Sequence, residues 1–370
     1  SGEAASVQNA DTGKNDTSWE EYSEAFTNGL DIVGYNYMED KYPLDHEMFP
    51  ERVILGSENY PKEIGMRWPM VEATPYVIGD FTWTAYDYIG EAGIGKSVFL
   101  DPDDPLLKMG PFALMSHSSA FPWRLANDAD VDINGGLLPQ GAYRSIVWGS
   151  DKTYLYSYDP SVFGKTELIS SWGFTDVTKN WNWKDADHKP VQVAVFSNGD
   201  EVELIQNGTS IGKLTAGTRL AADLPKSFLF DLTYLPGTLE AVSYKDGKEL
   251  SRDTLTTAAS AKTIRLIPEK TELSANGHAL AYIRIEIVDE NGVVVPDAAI
   301  KLHADVKGAG KLAAFGSANP ITDENYTAGD FTSYRGVATA IVQSGYEAGL
   351  CTLTVSGEGF EEKSVELKIK

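Results

Sequence analysis

The sequence predicts a multidomain chain in which an α/β first part precedes an all-β second part. Up to about residue 150, short apolar runs alternate with segments of helical periodicity. From about Tyr154 onward, apolar and polar residues alternate with period two between turn dipeptides. A length of 370 residues is enough for about two to four domains. We therefore expect domains at residues 1–150, 151–259 and 260–370.

The first part begins with a predicted helix and continues with apolar strands. Residues 17–29 open with a Thr-x-x-Glu capping box and end on a glycine, which is typical of a short amphipathic helix. Apolar runs that become polar or aromatic at their ends follow at residues 30–37, 52–58 and 76–83. Between them, helical spacing occurs around residues 44–49 and 61–73. Apolar strands that alternate with helices predict a parallel sheet covered on both faces.

The number of strands in this first part limits the possible folds. A closed barrel of eight parallel strands takes about 250 residues, whereas the first part supplies only the runs named above. The fold is therefore either a small open sheet or a barrel that is incomplete in this chain. In both cases the chemistry is expected at the carboxyl ends of the strands.

The second part contains two sets of short antiparallel strands. The first set has strands at residues 191–196, 201–206 and 238–244, with hairpin turns at Asn207-Gly208 and Asp246-Gly247. The second set has strands at residues 263–267, 281–288, 299–302, 336–342, 351–355 and 364–369, with a turn at Asn291-Gly292. The two sets meet near residues 256–262. Each set covers about 100 residues, which predicts two immunoglobulin-like β-sandwiches.

The composition excludes several classes of partner. The chain has 31 basic and 54 acidic residues and a net charge of −23. Nucleic-acid binding needs clustered Lys and Arg, which are not found here, so nucleic acid is not expected as a partner. No apolar run approaches the roughly 18 to 20 residues that span a bilayer, so no membrane contact is expected. The localisation stays open between the cytoplasm and export. The single cysteine, Cys351, is expected in a core.

The sequence predicts no cofactor and no metal site. Four residues imitate part of a calcium loop, but Gly141 stands where a bidentate Glu is required: Asp128, Asp130, Asp132 and Asn134. The histidines are dispersed, without the paired spacing of a zinc site: His46, His117, His188, His278 and His303.

Two stretches at the ends of predicted strands resemble glycoside hydrolase family 2, the β-galactosidase family. Residues 54–61 read ILGSENYP and residues 76–91 read YVIGDFTWTAYDYIGE, and both are similar to the last barrel strands of that family. Residues 30–37 are similar to the strand before them. Further similar stretches lie in the closing loop, the final barrel helix and the accessory sandwich of bacterial members, at residues 130–135, 140–148, 181–183 and 197–208.

The resemblance implies the C-terminal part of a (β/α)8 barrel followed by the two immunoglobulin-like sandwiches. It also implies a retaining β-glycosidase, with a β-galactoside or related β-glycoside as the carbohydrate bound. Glu58 is then the nucleophile, which attacks the anomeric carbon while a second carboxylic acid about 5–5.5 Å away protonates the leaving oxygen. Tyr37 is the residue whose hydroxyl holds Glu58 ionised and in position, and Asn36 shares this work. Trp83 is a platform for the apolar face of the sugar.

One feature of the family is absent from the sequence. The acid/base glutamate of the family follows an asparagine, and the dipeptide Asn-Glu does not occur in the chain. We therefore expect the chain to be inactive alone, and to associate with the missing N-terminal half of the enzyme or with itself. The alternative is a non-catalytic carbohydrate-binding or structural module that retains a relic of the sugar site.

Overall fold

A computed structural model describes residues 16–111, 114 and 119–370, and the side chains at positions 16–18 and 20 lie outside that description. The described chain forms two compact units. The first unit comprises residues 16–60 and Met66–Thr82, and the second comprises Pro61–Gly65 and Trp83–Lys370.

The first unit is a parallel sheet whose strands are connected through helices. Its elements, in chain order, are α1 Asp16–Thr27, β1 Val33–Asn36, α2 Tyr42–Met48, β2 Ile54–Asn59, α3 Ile64–Ala73 and β3 Val77–Thr82, with α3 starting in the second unit. The strands pair in parallel in the order β1-β2-β3. The predicted parallel sheet is confirmed. The predicted helix near residue 17 is found as α1, but its capping box falls on side chains outside the described residues.

The core of the first unit packs the strands against the helices. Its fully buried members include Val33, Ile54 and Val77, each from a different strand, together with aromatic residues of the helices. Asp45 of α2 is also buried and accepts hydrogen bonds from Trp19, Tyr35 and Arg52, at 3.1, 2.8 and 2.7 Å. A carboxylate removed from water needs such donors to offset its desolvation, so these bonds join α1, α2 and β1 firmly.

The second unit opens with irregular loops. Its early elements are β4 Ser97–Leu100, which pairs with β6 Thr166–Ile169, and α4 Pro139–Val147. Isolated bridges join Ile89 to Leu125 and Tyr86 to Val131, so the loop after β3 is held against residues 124–131. Within the described residues, short 3₁₀ helices occur at Glu39–Lys41, Pro61–Glu63, Pro105–Met109 and Pro160–Val162.

Two sheets then enclose one core between residues 154 and 256. Their strands are β5 Tyr154–Ser157, β7 Pro190–Phe196, β8 Glu201–Gln206, β9 Thr209–Thr215, β10 Ser227–Thr233, β11 Thr238–Lys245 and β12 Lys248–Thr256. The sheet orders are β10-β7-β5 and β12-β11-β8-β9. Both predicted hairpin turns are confirmed. Asn207 and Asp246 each adopt the left-handed conformation that such two-residue turns require, with φ of 49° and 51°.

A second pair of sheets encloses another core from residue 263 to the C-terminus. Its strands are β13 Thr263–Pro268, β14 Glu272–Leu273, β15 Leu280–Val288, β16 Lys301–Gly308, β17 Gly310–Gly316, β18 Asp330–Thr332, β19 Val337–Ser344, β20 Gly349–Gly357 and β21 Lys363–Ile369. The sheet orders are β13-β15-β19-β17 and β14-β21-β20-β16-β18. Cys351 is buried in this core, as predicted.

One predicted strand in this region has the wrong bounds. The strand expected at residues 299–302 begins at Lys301 and continues to Gly308. Its inward positions are Leu302 and the small Ala304, while His303 points outward. Because a single alanine is a weak apolar signal, the predicted strand ended too early, at residue 302. The immunoglobulin-like character of the two sandwiches, and the bounds 151–259 and 260–370, stay predictions.

Across the described residues, none of the helices combines the length and the apolar character that crossing a bilayer requires.

Candidate active site

Glu58 lies at the carboxyl end of β2 in the first unit. Ile54 and Gly56 of this strand are buried, while Glu58 is half-buried. In the parallel ladder with β1, its Cα lies opposite that of Asn36. Among the described residues, no side chain forms a hydrogen bond or ion pair with the Glu58 carboxylate. Because the carboxyl ends of parallel strands share one edge of the sheet, Glu58 and Asn36 lie together there.

Tyr37 is held beside Glu58 through its backbone. Its N–H donates to the carbonyl oxygen of Glu58 at 2.8 Å, and its ring lies 4.5 Å from the ring of Tyr60, centroid to centroid. Tyr37 has φ of 55°, which is uncommon for a non-glycine residue and costs on the order of 1 kcal/mol. Such a conformation persists where neighbouring contacts impose it. The role of the Tyr37 hydroxyl toward the Glu58 carboxylate stays a prediction.

A side-chain bond orients Asn36. The hydroxyl of Ser57 donates to its amide oxygen at 2.6 Å, and Asn36 is itself exposed. With the oxygen engaged, the amide nitrogen keeps two N–H groups for another partner. The structure thus brings Asn36, Tyr37 and Glu58 together, as their positions at strand ends predict.

A further polar pair joins β2 to β3 and was missed by the sequence analysis. The buried amide of Asn59 donates a hydrogen bond to the carboxylate of Asp80. Gly56 makes room for this pair, because a Cβ there would lie 2.3 Å from the Asn59 amide nitrogen. The signal in the sequence that could have indicated this pair was the presence of polar residues near the ends of two neighbouring strands.

Trp83 follows β3 directly and belongs to the second unit, where its contacts are with Tyr88. Its indole N–H donates to the Tyr88 hydroxyl at 3.3 Å, and the two rings meet edge to face at 86°. The Tyr88 hydroxyl in turn donates to the carboxylate of Glu91. Burial raises the pKa of Tyr88 well above its ordinary value, so it stays a donor. These bonds orient the half-buried Trp83 ring.

Two buried carboxyl groups lie in the same unit as this tryptophan: Asp87, which the sequence analysis did not single out, and Asp128, which it considered only within the calcium-like stretch. Asp128 is fully buried and accepts from the Thr84 hydroxyl at 3.3 Å, while its second oxygen has no hydrogen-bond partner among the described residues. Asp87 accepts the backbone N–H groups of Tyr88 and Asn127, at 3.0 and 2.9 Å. Burial raises the pKa of Asp128 to about 8 and that of Asp87 to about 6. For Asp87, the signal in the sequence was its position within residues 76–91, a stretch that resembles the family. No local signal indicated that Asp128 is buried.

The remaining acidic residues of the calcium-like stretch form bonds within the protein. Asp130 pairs with Arg144 of α4 at 2.5 Å, and one oxygen of Asp132 accepts the N–H groups of Asn134 and Gly136, at 2.8 and 2.9 Å. Within residues 16–111, 114 and 119–370, no group of at least three His, Cys, Asp or Glu side chains is arranged to hold a metal ion. His117 lies outside that part of the chain.

The chain is similar to known proteins over most of its length. The family model for glycoside hydrolase family 2 C-terminal domain 5 matches residues 264–366, and that for a domain of unknown function (DUF4982) matches residues 188–251. The solved structure of a glycosyl hydrolase family 2 member from Bacteroides cellulosilyticus matches with a TM-score of 0.79 and 32% identity. The match covers 94% of this chain and 43% of the Bacteroides cellulosilyticus chain. The chain belongs to glycoside hydrolase family 2.

Within this family the chain corresponds to the C-terminal part of an enzyme. It is 22% identical to a β-galactosidase from Bacteroides ovatus, over 91% of this chain and 39% of that protein. It is 25% identical to a putative β-glucuronidase from Formosa agariphila, over 71% of this chain and 21% of that protein. The chain therefore spans about two fifths or less of the length of these two relatives. The prediction that the chain comes from a family of glycosidases, a class of hydrolases, is confirmed.

Proposed function

We propose that this family 2 chain supplies the nucleophile of a retaining β-glycosidase, and that its substrate is a terminal β-galactoside. The observation that carries the proposal is the placement of Glu58 at the carboxyl end of β2, opposite Asn36 and hydrogen-bonded through its carbonyl to Tyr37. The name of the Bacteroides ovatus relative supports the galactoside, while that of the Formosa agariphila relative makes a β-glucuronide the second candidate.

In this proposal each residue has one role in the reaction. The Glu58 carboxylate attacks the anomeric carbon and forms a covalent glycosyl-enzyme, which water then hydrolyses. The free amide N–H groups of Asn36 bind a sugar hydroxyl, and the Tyr37 hydroxyl keeps Glu58 ionised. Trp83 packs on the apolar face of the sugar ring. The acid/base comes from outside these 370 residues, because the chain holds no Asn-Glu dipeptide.

The first unit is, in this proposal, the end of a (β/α)8 barrel within residues 1–150, followed by immunoglobulin-like sandwiches at residues 151–259 and 260–370. In the described sheet, β1 and β3 are the outer strands. Ile78 and Phe81 of β3 are exposed by 55% and 60%. Apolar side chains on an outer strand favour coverage by further strands, so we propose an N-terminal half, or else a second copy of the chain, as the partner.

The alternative of a non-catalytic carbohydrate-binding or structural module is less well supported. The relatives over most of this chain are glycoside hydrolases by name. A relic site also gives no reason for the Asn36, Tyr37 and Glu58 arrangement to persist with its supporting bond from Ser57.

The test is complementation with an N-terminal half that carries a family 2 acid/base. The mixture is expected to hydrolyse an aryl β-galactoside, whereas the chain alone does not turn over lactose, because general acid catalysis contributes about 10²–10⁴-fold. Glu58→Gln should abolish the activity, and the control Glu72→Gln, at an exposed position of α3, should retain it. A 2-fluoro-β-galactoside should label the peptide that contains Glu58.

Two results would contradict the proposal. A stoichiometric complex that is inactive on aryl β-galactosides and β-glucuronides alike would favour the binding-module alternative. Lactose hydrolysis by the chain alone, lost in Glu58→Gln, would show that an acid within these residues had been overlooked.

A further inference from the structure

A cleft of about 780 Å³ lies within the second unit. Its walls come from the loops between residues 87 and 140, from the first sandwich around residues 174–179, and from the second sandwich around residues 334–337. This volume falls in the range of about 300–1,000 Å³ that is usual for small-molecule sites. We propose that this cleft binds a neutral oligosaccharide. The proposal goes beyond the reaction at Glu58 and does not depend on it.

Three amide side chains carry the inference. Asn127, Asn134 and Gln140 line the cleft, and none of their side-chain amides forms a hydrogen bond with another described residue. Gln140 is the most informative, because this residue lines the cleft although it is only 6% exposed. A nearly buried amide without a protein partner costs stability unless water or a ligand satisfies it. Each amide offers both a donor and an acceptor, which suits sugar hydroxyls.

Two carboxyl groups add acceptors on the same walls. In Asp87 and in Asp132, a single oxygen receives both of the backbone N–H bonds that the residue accepts. The other oxygen of each forms no hydrogen bond within the described part of the chain. Both residues line the cleft, so these oxygens can accept from sugar hydroxyls.

An aromatic ring supplies the apolar part of the site. Trp123 lines the cleft, is half-buried, and donates its indole N–H to the carbonyl of Leu125 at 2.8 Å. This bond fixes the ring and satisfies its polar edge, which leaves an apolar ring surface. Aromatic surfaces of this kind pack against the C–H faces of pyranose rings, and a fixed ring loses little entropy on binding.

The charges favour a neutral sugar over an acidic one. Four basic residues line the cleft: Lys96, Lys179, Arg284 and Arg335. Lys179 and Arg284 pair with Asp253 and Glu286, and the same walls carry the carboxyl groups of Asp87, Asp132 and Asp176. The lining therefore presents no excess of positive charge to an acidic sugar. The chain as a whole carries −23, which repels polyanions at long range.

The test is calorimetric titration of the full chain with neutral β-1,4-linked gluco-, galacto-, manno- and xylo-oligosaccharides, with an oligogalacturonate as the acidic arm. At least one neutral series should bind with a Kd of about 1 mM or tighter. Asn134→Ala and Gln140→Leu should each weaken binding at least about tenfold. Asn127→Gly should do the same, and glycine tolerates the φ of 62° at that position. Tyr346→Ala, at an exposed aromatic outside the cleft, is the control.

Circular dichroism and the melting temperature establish that each variant is folded, and the three amide variants are read independently. Weakened binding in folded amide variants, with binding retained in Tyr346→Ala, supports the proposal. Three results would overturn it: no neutral oligosaccharide binds, only the oligogalacturonate binds, or binding is lost in Glu58→Gln but kept in all three amide variants.

Discussion

The hydroxyl of Ser57 donates a 2.6 Å hydrogen bond to the amide oxygen of Asn36, and this bond joins the carboxyl ends of two parallel strands next to Glu58. A free asparagine amide can rotate by half a turn and exchange its donor and acceptor ends. The bond from Ser57 selects the orientation in which the amide nitrogen is available. The position of a donor near the proposed nucleophile thus depends on a residue that itself need not contact the sugar.

Replacing Ser57 tests this positioning role. In the complemented enzyme, Ser57→Ala should lower kcat/KM about three- to tenfold, which corresponds to a hydrogen bond of roughly 1 kcal/mol. The measurement is a double-mutant cycle with Asn36→Ala. Because both changes remove the same oriented amide, the double variant should be little worse than Asn36→Ala alone. Fully additive losses would show that the two residues act independently.

The ion pair between Asp130 and Arg144 is expected to matter for folding stability. Both side chains are largely buried, with exposed fractions of 13% and 6%. Arg144→Met leaves the Asp130 carboxylate buried without its partner, and should lower the free energy of unfolding by about 3–5 kcal/mol in urea titrations. The control is Arg252→Met, at an exposed pair with Glu249, which should cost less than about 1 kcal/mol. Equal losses in the two variants would contradict this account.

The buried Asp128 predicts a pH dependence of stability. Its pKa is about 8 in the folded protein and 3.8 in its ordinary state, so between these values the folded chain holds a proton that the unfolded chain has lost. Stability should therefore fall as pH rises through this window and level off above about 8. The raised pKa of Asp87, about 6, acts in the same direction over the lower part of the window.

Asp128→Asn provides the test, because asparagine stays neutral at every pH and is close in shape. Urea titrations at about pH 5, 6.5 and 8 should show a smaller decline in the free energy of unfolding than in the parent chain. Asp176→Asn, at an exposed carboxylate, should leave the decline unchanged. An identical decline in Asp128→Asn and the parent would place the titrating group elsewhere.

The fragment 151–370 is expected to fold without the residues before it. The core formed by β5 and β7–β12 and the core formed by β13–β21 contain only residues after 150. Each core is enclosed by two sheets, so the fragment should unfold cooperatively in urea, and limited proteolysis of the full chain should cut first before residue 150. A protease-resistant core at residues 20–130, with the sandwiches digested, would contradict this prediction.

Much of the fold follows from local sequence pattern. The strand runs that became β1, β2 and β3 are apolar at their starts, and the Asn207 and Asp246 turns need only two residues to specify them. Strands with few large apolar residues at their inward positions were weaker signals. This is why β16 was predicted too short, and why β9, β12 and β17 were among the strands that were not predicted.

The sequence by itself determined the parallel arrangement, the strand-end position of Glu58 and the relation to family 2, because these depend on residues close together in the chain. Only the tertiary structure decided which polar groups are buried and which segments of the chain together form the walls of the cleft. Asp128 lies 44 positions from Thr84, its hydrogen-bond donor, and Gln140 faces a cleft shared with two sandwiches. Burial and pairing over such distances depend on how the chain packs, and no local periodicity encodes them.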